Sequence, residues 1–329
     1  MAIRLECAIL KIAVLLASSG LCFGVEGNQA DPTTPTHKEV ESIGLTSESS
    51  FENLTTFCMD ADGNLLACDA KAKQIRKLTP AGKTLATWTM EFAPWAIHAC
   101  PDRTIYAAGP GVVAKLDKTG KVLKTALSDG GNFPGGKPSG ITATEKDVFV
   151  CMGTGWSLRS RSSIARFDRD LGRPKTIAKD LRGCCQRLDV VAKDDVLYVA
   201  ENARYRVLRC DRQGKILSKW GNRERNNIEG FGSCCNPMNL CFGPGGSLYT
   251  AESGLGRIKR YTPEGEFLGL VGHVGVERFN RAGRLAASCS NISIAVNTDA
   301  SRIYVLDFKN NLIRVMAKVD GDPDLKPNR

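Results

Sequence analysis

The sequence predicts an all-β protein, a six-bladed β-propeller of four-stranded antiparallel blades, closed into a ring by an N-terminal strand. Three observations predict it. One motif of a turn and a strand recurs six times, further short strands surround each copy, and the last copy lacks its fourth strand. The length of 329 residues is enough for two average domains, but a repeat that runs through the chain favours one large domain.

Residues 1–24 are predicted to be a secretory signal peptide. A short basic start precedes the apolar run IAVLLASSGLCF, which is shorter than the roughly 20 apolar residues of a spanning helix. Residues 25–37 are polar and rich in Pro and Thr, so we interpret them as a flexible leader. No later segment has the length and apolarity of a membrane span. We therefore expect a periplasmic or extracellular protein.

The recurring motif consists of a turn followed by an apolar strand. Its six copies have central apolar residues 40 to 55 positions apart, at Leu65, Ile105, Val148, Leu197, Leu248 and Ile303. A shorter apolar strand precedes each copy, another follows, and a glycine turn leads from there to a fourth in five of them. Alternating apolar and polar residues indicate half-buried strands, and glycine supplies the positive φ of a tight hairpin. Residues 38–320 are thus predicted to form the six blades.

The sixth copy has only three strands of its own. After LIRVMAK the chain continues into a polar segment, of which residues 321–329 are interpreted as a C-terminal tail. The segment HKEVESIG at 37–44 alternates like a strand and is predicted to complete the sixth blade. Such closure pairs the edges that would otherwise be open.

One stretch shows the full repeat pattern, KWGNRERNNIEGFGSCCNPMNLCFGPGGSLYTAESGLGRIKRYTPEGEFLGLVG at 219–272. Its Trp-Gly, Gly-Phe, Asn-Pro, Gly-x-Leu-Tyr-x-Ala-Glu and Arg-Ile-x-Arg-Tyr elements resemble those of the NHL-repeat propellers. The copy at 183–221 is nearly as similar, and the resemblance covers almost all of the chain after the leader. It implies the fold and leaves the function open, because propellers of this group include binding platforms, lyases and lactone hydrolases.

The charge balance is basic, with 45 Lys and Arg against 35 Asp and Glu and a net charge of +10. Basic residues recur along the third strand of nearly every copy, where they alternate with apolar ones, which is typical of a solvated outer face. We expect a protein or an anionic glycan as the partner, and no nucleic acid, because no basic patch has interleaved aromatic residues. The partner would bind on the loop face, formed by 128–137, 152–163, 221–233 and 272–287.

The chain contains 13 cysteines, two of which lie in the predicted signal peptide. Six fall within strands or at their ends and are interpreted as small buried packing residues, namely Cys58, Cys68, Cys100, Cys151, Cys210 and Cys241. The other five precede the innermost strands of three successive copies. Cys184, Cys234 and Cys289 align as one set, and Cys185 and Cys235 as a second. In a propeller these turns surround one mouth of the central channel.

Three interpretations of these five cysteines remain open. Disulfides between blades are favoured by an oxidising compartment. A thiolate site for Cu, Zn or Fe, with Cys184, Cys234 and Cys289 as ligands, is the second. The adjacent pairs lack the Cys-x-x-Cys spacing of common zinc modules, although ligands from separate blades do not need it. The third interpretation is a coincidence of buried thiols.

Candidates for other ligand roles are few. His98 lies inside an innermost strand, where a single histidine is more often a core residue than a ligand. The resemblance to lactonase-type propellers, which hold a divalent cation with carboxylates and Asn, makes Asn236 and Asn291 candidate ligands. The acidic residues Asp69, Glu201, Glu252 and Asp307 recur after the second strand in four of the six copies. Their recurrence indicates a structural hydrogen-bonding position.

The function predicted from these features is a binding or scaffold module whose ligand lies at the cysteine-bearing mouth. Catalysis is disfavoured, because no nucleophile elbow and no glycine-rich phosphate loop is present. The alternative is a Cys-ligated metalloprotein with redox or Lewis-acid chemistry. A cation-dependent lactonase or lyase is the least favoured.

Overall fold

The alternating apolar segments form short strands throughout the chain. The computed structural model describes residues 31–128, 133–154, 161–184, 187–224, 226–233, 235–275 and 291–319. Within these ranges 24 strands form six sheets of four. None of the helical turns in the same ranges has the length and apolar character needed to cross a bilayer.

Each sheet is a blade of four antiparallel strands. Blades 1 to 3 are β2–β5 (Leu54–Met59, Leu65–Asp69, Gln74–Leu78, Thr84–Thr89), β6–β9 (Ala96–Ala99, Ile105–Gly109, Val112–Leu116, Val122–Leu127) and β10–β13 (Lys137–Ala143, Asp147–Thr154, Arg161–Asp168, Lys175–Leu181). Blades 4 and 5 are β14–β17 (Asp189–Lys193, Val196–Glu201, Arg206–Cys210, Ile216–Trp220) and β18–β21 (Asn239–Phe242, Leu248–Glu252, Arg257–Tyr261, Phe267–His273). Blade 6 contains β22–β24 (Ile294–Val296, Arg302–Asp307, Leu312–Lys318) and β1 (His37–Ile43). Single turns of 3₁₀ helix span Asn202–Arg204 and Pro244–Gly246.

The blades form a closed ring. The first strands of successive blades contact one another, from β2 through β6, β10, β14 and β18 to β22, and β22 contacts β2 again. In blade 6 the strand order is β1-β24-β23-β22, with His37 opposite Lys318 and Ile43 opposite Ile313. The predicted six-bladed propeller and its closure by an N-terminal strand are thus confirmed.

The hydrophobic core lies between neighbouring blades, because each sheet is apolar on both faces. One cluster joins Phe57 and Leu65 of blade 1 to Tyr304 and Val315 of blade 6. The six strand cysteines lie in such clusters or pack against them, and all six are free thiols. Their predicted role as small packing residues is therefore confirmed.

The recurring acidic residues brace blades 1, 4, 5 and 6. Glu201 accepts hydrogen bonds from the backbone N–H of Arg182 and from the side chains of Arg204 and Arg206. The Asp69 carboxylate accepts hydrogen bonds from two backbone N–H groups of the loop before β2. The Asp307 carboxylate accepts a hydrogen bond from the side chain of Arg314 on β24. These carboxylates are buried with their partners supplied locally, which confirms the structural role predicted for them.

Candidate ligand site at the channel mouth

The innermost strands surround a central channel with a volume of about 270 Å³. All of them run in the same direction, so their first residues lie together at one end, which we call the entry mouth. Strand pairing places equivalent residues in two successive rings. Of the channel-lining residues, the ring nearer the mouth contains Thr56, Ala96, Gly140, Asp189 and Asn239, and the deeper ring contains Cys58, His98, Thr142, Val191, Cys241 and Ala295. Ser293, whose carbonyl accepts the backbone N–H of Leu306, is the equivalent of the first ring in blade 6.

Side chains of the first ring link neighbouring blades. The Asp189 carboxylate accepts hydrogen bonds from Asn239 Nδ2 (2.7 Å) and from the backbone N–H of Leu240 (2.8 Å). Asn239 Oδ1 in turn accepts the backbone N–H of Ile294 at 2.8 Å. Blades 4, 5 and 6 are therefore joined at the channel wall by polar side chains as well as by their apolar faces.

Asp189 is a buried carboxyl group, with 7% of its surface exposed. Burial raises the pKa of Asp189 to about 7, and hydrogen bonds from the backbone N–H groups of Leu240 and Val190 partly oppose this shift. The cause is the cost of ionising a carboxyl group away from water. The channel wall thus contains a group that changes its charge near neutral pH.

We expect the Asp189→Asn variant to differ from the wild-type protein in its response to pH. A carboxyl group whose pKa is raised on folding stabilises the folded state less as pH rises from about 4 to about 7, because the folded state binds the proton more tightly. The asparagine keeps an acceptor oxygen but cannot ionise. Relative to this variant, the wild type should therefore lose up to about 3 kcal/mol of unfolding free energy between about pH 5 and about pH 8. Denaturant unfolding of both proteins at about pH 5 and about pH 8 measures it.

The matched control is Asp62→Asn, since the Asp62 carboxylate lies in an exposed turn, with a side chain 42% exposed. The Asp62→Asn variant should change the unfolding free energy by the same small amount at both pH values. If the difference in unfolding free energy between the wild type and Asp189→Asn were the same at both pH values, the pKa assigned to Asp189 would be wrong.

His98 lies in the deeper ring on β6, opposite Tyr106. Burial, and to a smaller degree the positive charge of Arg169, lower the pKa of His98 to about 4. The imidazole is therefore neutral at physiological pH. Neither ring nitrogen forms a hydrogen bond with a described residue, so His98 contributes a neutral polar group to the channel wall.

Two of the five aligned cysteines lie in the described part of the chain. Cys235 is buried in a cluster with Met238 and Ile292, and Cys184 packs against the same cluster. The backbone N–H of Cys184 donates to Asn202 Oδ1 at 2.7 Å. Neither cysteine is among the residues that line the channel. Cys185, Cys234 and Cys289 lie outside the described residues.

The two candidate asparagines hold backbone segments together. Asn236 Nδ2 donates to the carbonyl oxygens of Gly232 (2.6 Å) and Ser253 (3.1 Å), and Asn291 Nδ2 donates to the carbonyl of Thr55. Both side chains are buried. Among the described residues, no group of three or more His, Cys, Asp or Glu is arranged to hold a metal ion.

Strand register also changes the alignment of the last copy. Asp189 pairs with Ala200 and Asn239 with Ala251, whereas Ile294 pairs with Val305, which lies one position earlier in the motif than those alanines. Ser293, rather than Ile294, is therefore the counterpart of Asp189 and Asn239. The gapless alignment of the three cysteine-bearing stretches does not hold for the strand residues of blade 6.

The entry mouth carries two cations held against aromatic rings. Lys137 is the first residue of β10, and its ammonium lies 3.1 Å from the centroid of the Trp95 ring. The Arg187 guanidinium carbon lies 5.8 Å from the Trp95 centroid and 5.7 Å from that of Phe308. All four side chains are half-buried. Cations at such distances are attracted to the negative face of the ring.

These contacts place the guanidinium close to the axis of the ring. Trp95 precedes the first strand of blade 2, Arg187 precedes that of blade 4, and Phe308 follows β23 in blade 6. These blades are not neighbours, so one group that contacts rings from blades 2 and 6 lies over the channel. The turn that carries Arg187 is fixed by its N–H, which donates to Cys184 O (3.1 Å), and by Asn202 Nδ2, which donates to Arg187 O (2.9 Å).

Sequence reasoning placed the ligand at this mouth but did not select these side chains. Arg187 stands inside the cysteine-bearing stretch GCCQRLDVV, and Lys137 is the last residue of the predicted loop 128–137. Only the residue types could have indicated these side chains, because Trp and Arg are enriched in binding sites. The Asn202 side chain contacts the cysteine-bearing stretch at two residues, since it accepts the N–H of Cys184 and donates to the carbonyl of Arg187.

No protein-family model matches the chain, and no curated protein sequence matches it either. Solved structures do. A streptogramin B lyase aligns with a TM-score of 0.57 at 15% identity, over 84% of this chain and 97% of its own. A calcium-binding protein, regucalcin of Agrobacterium tumefaciens, aligns with a TM-score of 0.56 at 14% identity, over 85% and 93%.

A gluconolactonase of Xanthomonas campestris aligns with a TM-score of 0.58 at 11% identity, over 88% of this chain and 99% of its own. The chain is thus a β-propeller by its own strand topology and by its likeness to these structures. Identities this low show the shared fold alone.

Proposed function

We propose that this chain is a secreted, NHL-like binding propeller whose ligand carries an oxyanion and binds at the entry mouth. The observation that supports it is the pair of cations there, since Lys137 and Arg187 both lie against aromatic rings. Lys137 forms no ion pair with a described carboxylate. The repeat pattern at 219–272 supports the NHL-like scaffold, and the predicted signal peptide supports secretion.

The Lys137 ammonium lies on an aromatic ring, which attracts a positive charge without offsetting it as a carboxylate would. Two such charges side by side repel each other, and a carboxylate, phosphate or sulfate group placed between them relieves that repulsion. The half-buried position strengthens the attraction relative to bulk water. The net charge of +10 also favours the approach of an anion. The acidic groups of an anionic glycan are the partner class that fits this chemistry and a secreted protein.

We expect inorganic phosphate, sulfate and simple carboxylates to bind at one saturable site. Lys137→Gln and Arg187→Gln should each weaken this binding at least about tenfold, because each removes one of the two charges. Titration calorimetry at constant ionic strength, with chloride as the reference anion, measures the affinity.

The control variant is Lys124→Gln, which removes the same charge from an exposed position on β9. Its affinity should equal that of the wild type. Anion binding that is equally strong in all four proteins, or no stronger than that of chloride, would refute a site at the entry mouth.

A further inference from the structure

Lys137 differs from the lysines that form ion pairs with described carboxylates. Lys77, Lys115, Lys146 and Lys259 each form an ion pair with a carboxylate. Lys137 instead lies over an aromatic ring with a guanidinium nearby. Its amine is half-buried and stands at the entrance of a channel of about 270 Å³.

This environment disfavours the charged form of the amine. Burial, followed by the positive charge of Arg187, lowers the pKa of Lys137 to about 8. About one in ten such amines is unprotonated at pH 7, against fewer than about one in a thousand for an ordinary lysine. A desolvated lysine beside a second cation is the arrangement that activates this side chain as a nucleophile.

The oxyanion-binding Arg187 and the nucleophilic Lys137 would act on the same ligand. A 2-oxo acid has a carbonyl carbon directly bonded to its carboxylate, and the carboxylate fits the Arg187 guanidinium. Because Arg187 and Lys137 both contact the Trp95 ring, we expect a carboxylate bound by Arg187 to place its adjacent carbonyl near the Lys137 amine.

We propose that Lys137 forms a reversible imine with a 2-oxo acid whose carboxylate is bound by Arg187. The amine nitrogen attacks the carbonyl carbon, the C=O π bond opens to a carbinolamine, and the C–O bond then breaks. The oxygen leaves as water with both amine hydrogens, and a C=N bond remains. No oxidant or reductant takes part. This inference rests on the proposed oxyanion site and names its substrate class.

The test is reductive trapping on the full chain with pyruvate and cyanoborohydride, followed by peptide mass spectrometry. Lys137 should be modified at least about tenfold faster than Lys124, which is exposed on β9. Lys137→Arg should lose the rapid modification, because a guanidinium stays protonated and does not form an imine. Arg187→Gln should slow trapping of pyruvate more than trapping of propanal, which has no carboxylate.

The outcomes separate this inference from the proposed function. Phosphate binding that depends on Lys137, together with pyruvate trapping no faster at Lys137 than at Lys124, would overturn the imine and leave the oxyanion site in place. Loss of both would overturn both. Equal slowing of pyruvate and propanal in Arg187→Gln would overturn the assignment of the carboxylate to Arg187.

Discussion

A chain that begins at Leu45 is expected to unfold at a temperature at least about 10 °C lower than one that begins at Pro32. The difference between the two is β1 with its flanking residues, and β1 forms the outer edge of blade 6 by pairing with β24. Ile43 is 5% exposed and packs in the cluster between blades 1 and 6. Its loss removes about 1.5–3 kcal/mol of apolar burial.

Polar contacts of β1 add to this effect. His37 Nε2 donates to the carbonyl of Ala300 at 2.8 Å, and Arg314 Nη1 donates to Glu39 at 2.8 Å. The backbone hydrogen bonds to β24 are lost as well, at about 1 kcal/mol each. An unpaired β24 is also an open edge that promotes association between chains.

Scanning calorimetry of the two truncated chains, with size-exclusion chromatography of each, measures both effects. The chain that begins at Pro32 is the internal control, because it lacks the same leader. If the two chains unfolded within about 2 °C of each other, β1 would not be the element that closes the ring.

Replacing Glu252 by alanine is expected to lower the unfolding free energy by about 3–5 kcal/mol. Glu252 is fully buried and lies 2.9 Å from Lys259 Nζ, which is also fully buried, and 2.8 Å from Arg257 Nε. It accepts the backbone N–H of Gly232 at 2.9 Å as well. Without the carboxylate, the Lys259 ammonium is left buried without a counter-charge.

Lys259 itself provides the second arm of this experiment. Burial lowers the pKa of Lys259 to about 8, although the Glu252 carboxylate acts in the opposite direction. The double variant Glu252→Ala/Lys259→Met should therefore be more stable than Glu252→Ala alone by more than about 1 kcal/mol, because the unpaired ammonium is gone. Denaturant unfolding measures all of these proteins.

The control is Glu264→Ala, since the Glu264 side chain is 65% exposed and lies 3.4 Å from Arg209. It should cost less than about 0.5 kcal/mol. If Glu252→Ala also lowered the unfolding free energy by less than about 0.5 kcal/mol, the buried network would not brace blade 5.

Most strands were predictable because each depends on a short stretch of sequence. Alternation of apolar and polar residues predicted Leu54–Met59 and His37–Ile43, which the structure contains at those positions. The three-stranded last copy predicted closure, since a blade without its fourth strand leaves an edge unpaired. The register of blade 6 was not predictable in this way, because pairing with β23 determines it.

The residues of the candidate site come from separate repeats. Trp95, Lys137, Arg187 and Phe308 belong to blades 2, 3, 4 and 6, and no spacing along the chain relates them. The cysteines beside Arg187 predicted a ligand at this mouth. However, the two in the described part of the chain pack in the core between blades, and Arg187 extends over the channel.

The sequence by itself determined the repeat, the number of blades, the closure of the ring and the role of the recurring carboxylates. Each of these can be predicted from short stretches of sequence and from their recurrence along the chain. Only the tertiary structure decided which side chains meet at the entry mouth and which carboxyl group of the channel wall is buried enough to titrate near pH 7. The reason is physical. Ring closure brings distant residues within contact distance, and their charges and pKa values depend on those neighbours and on the loss of water around them.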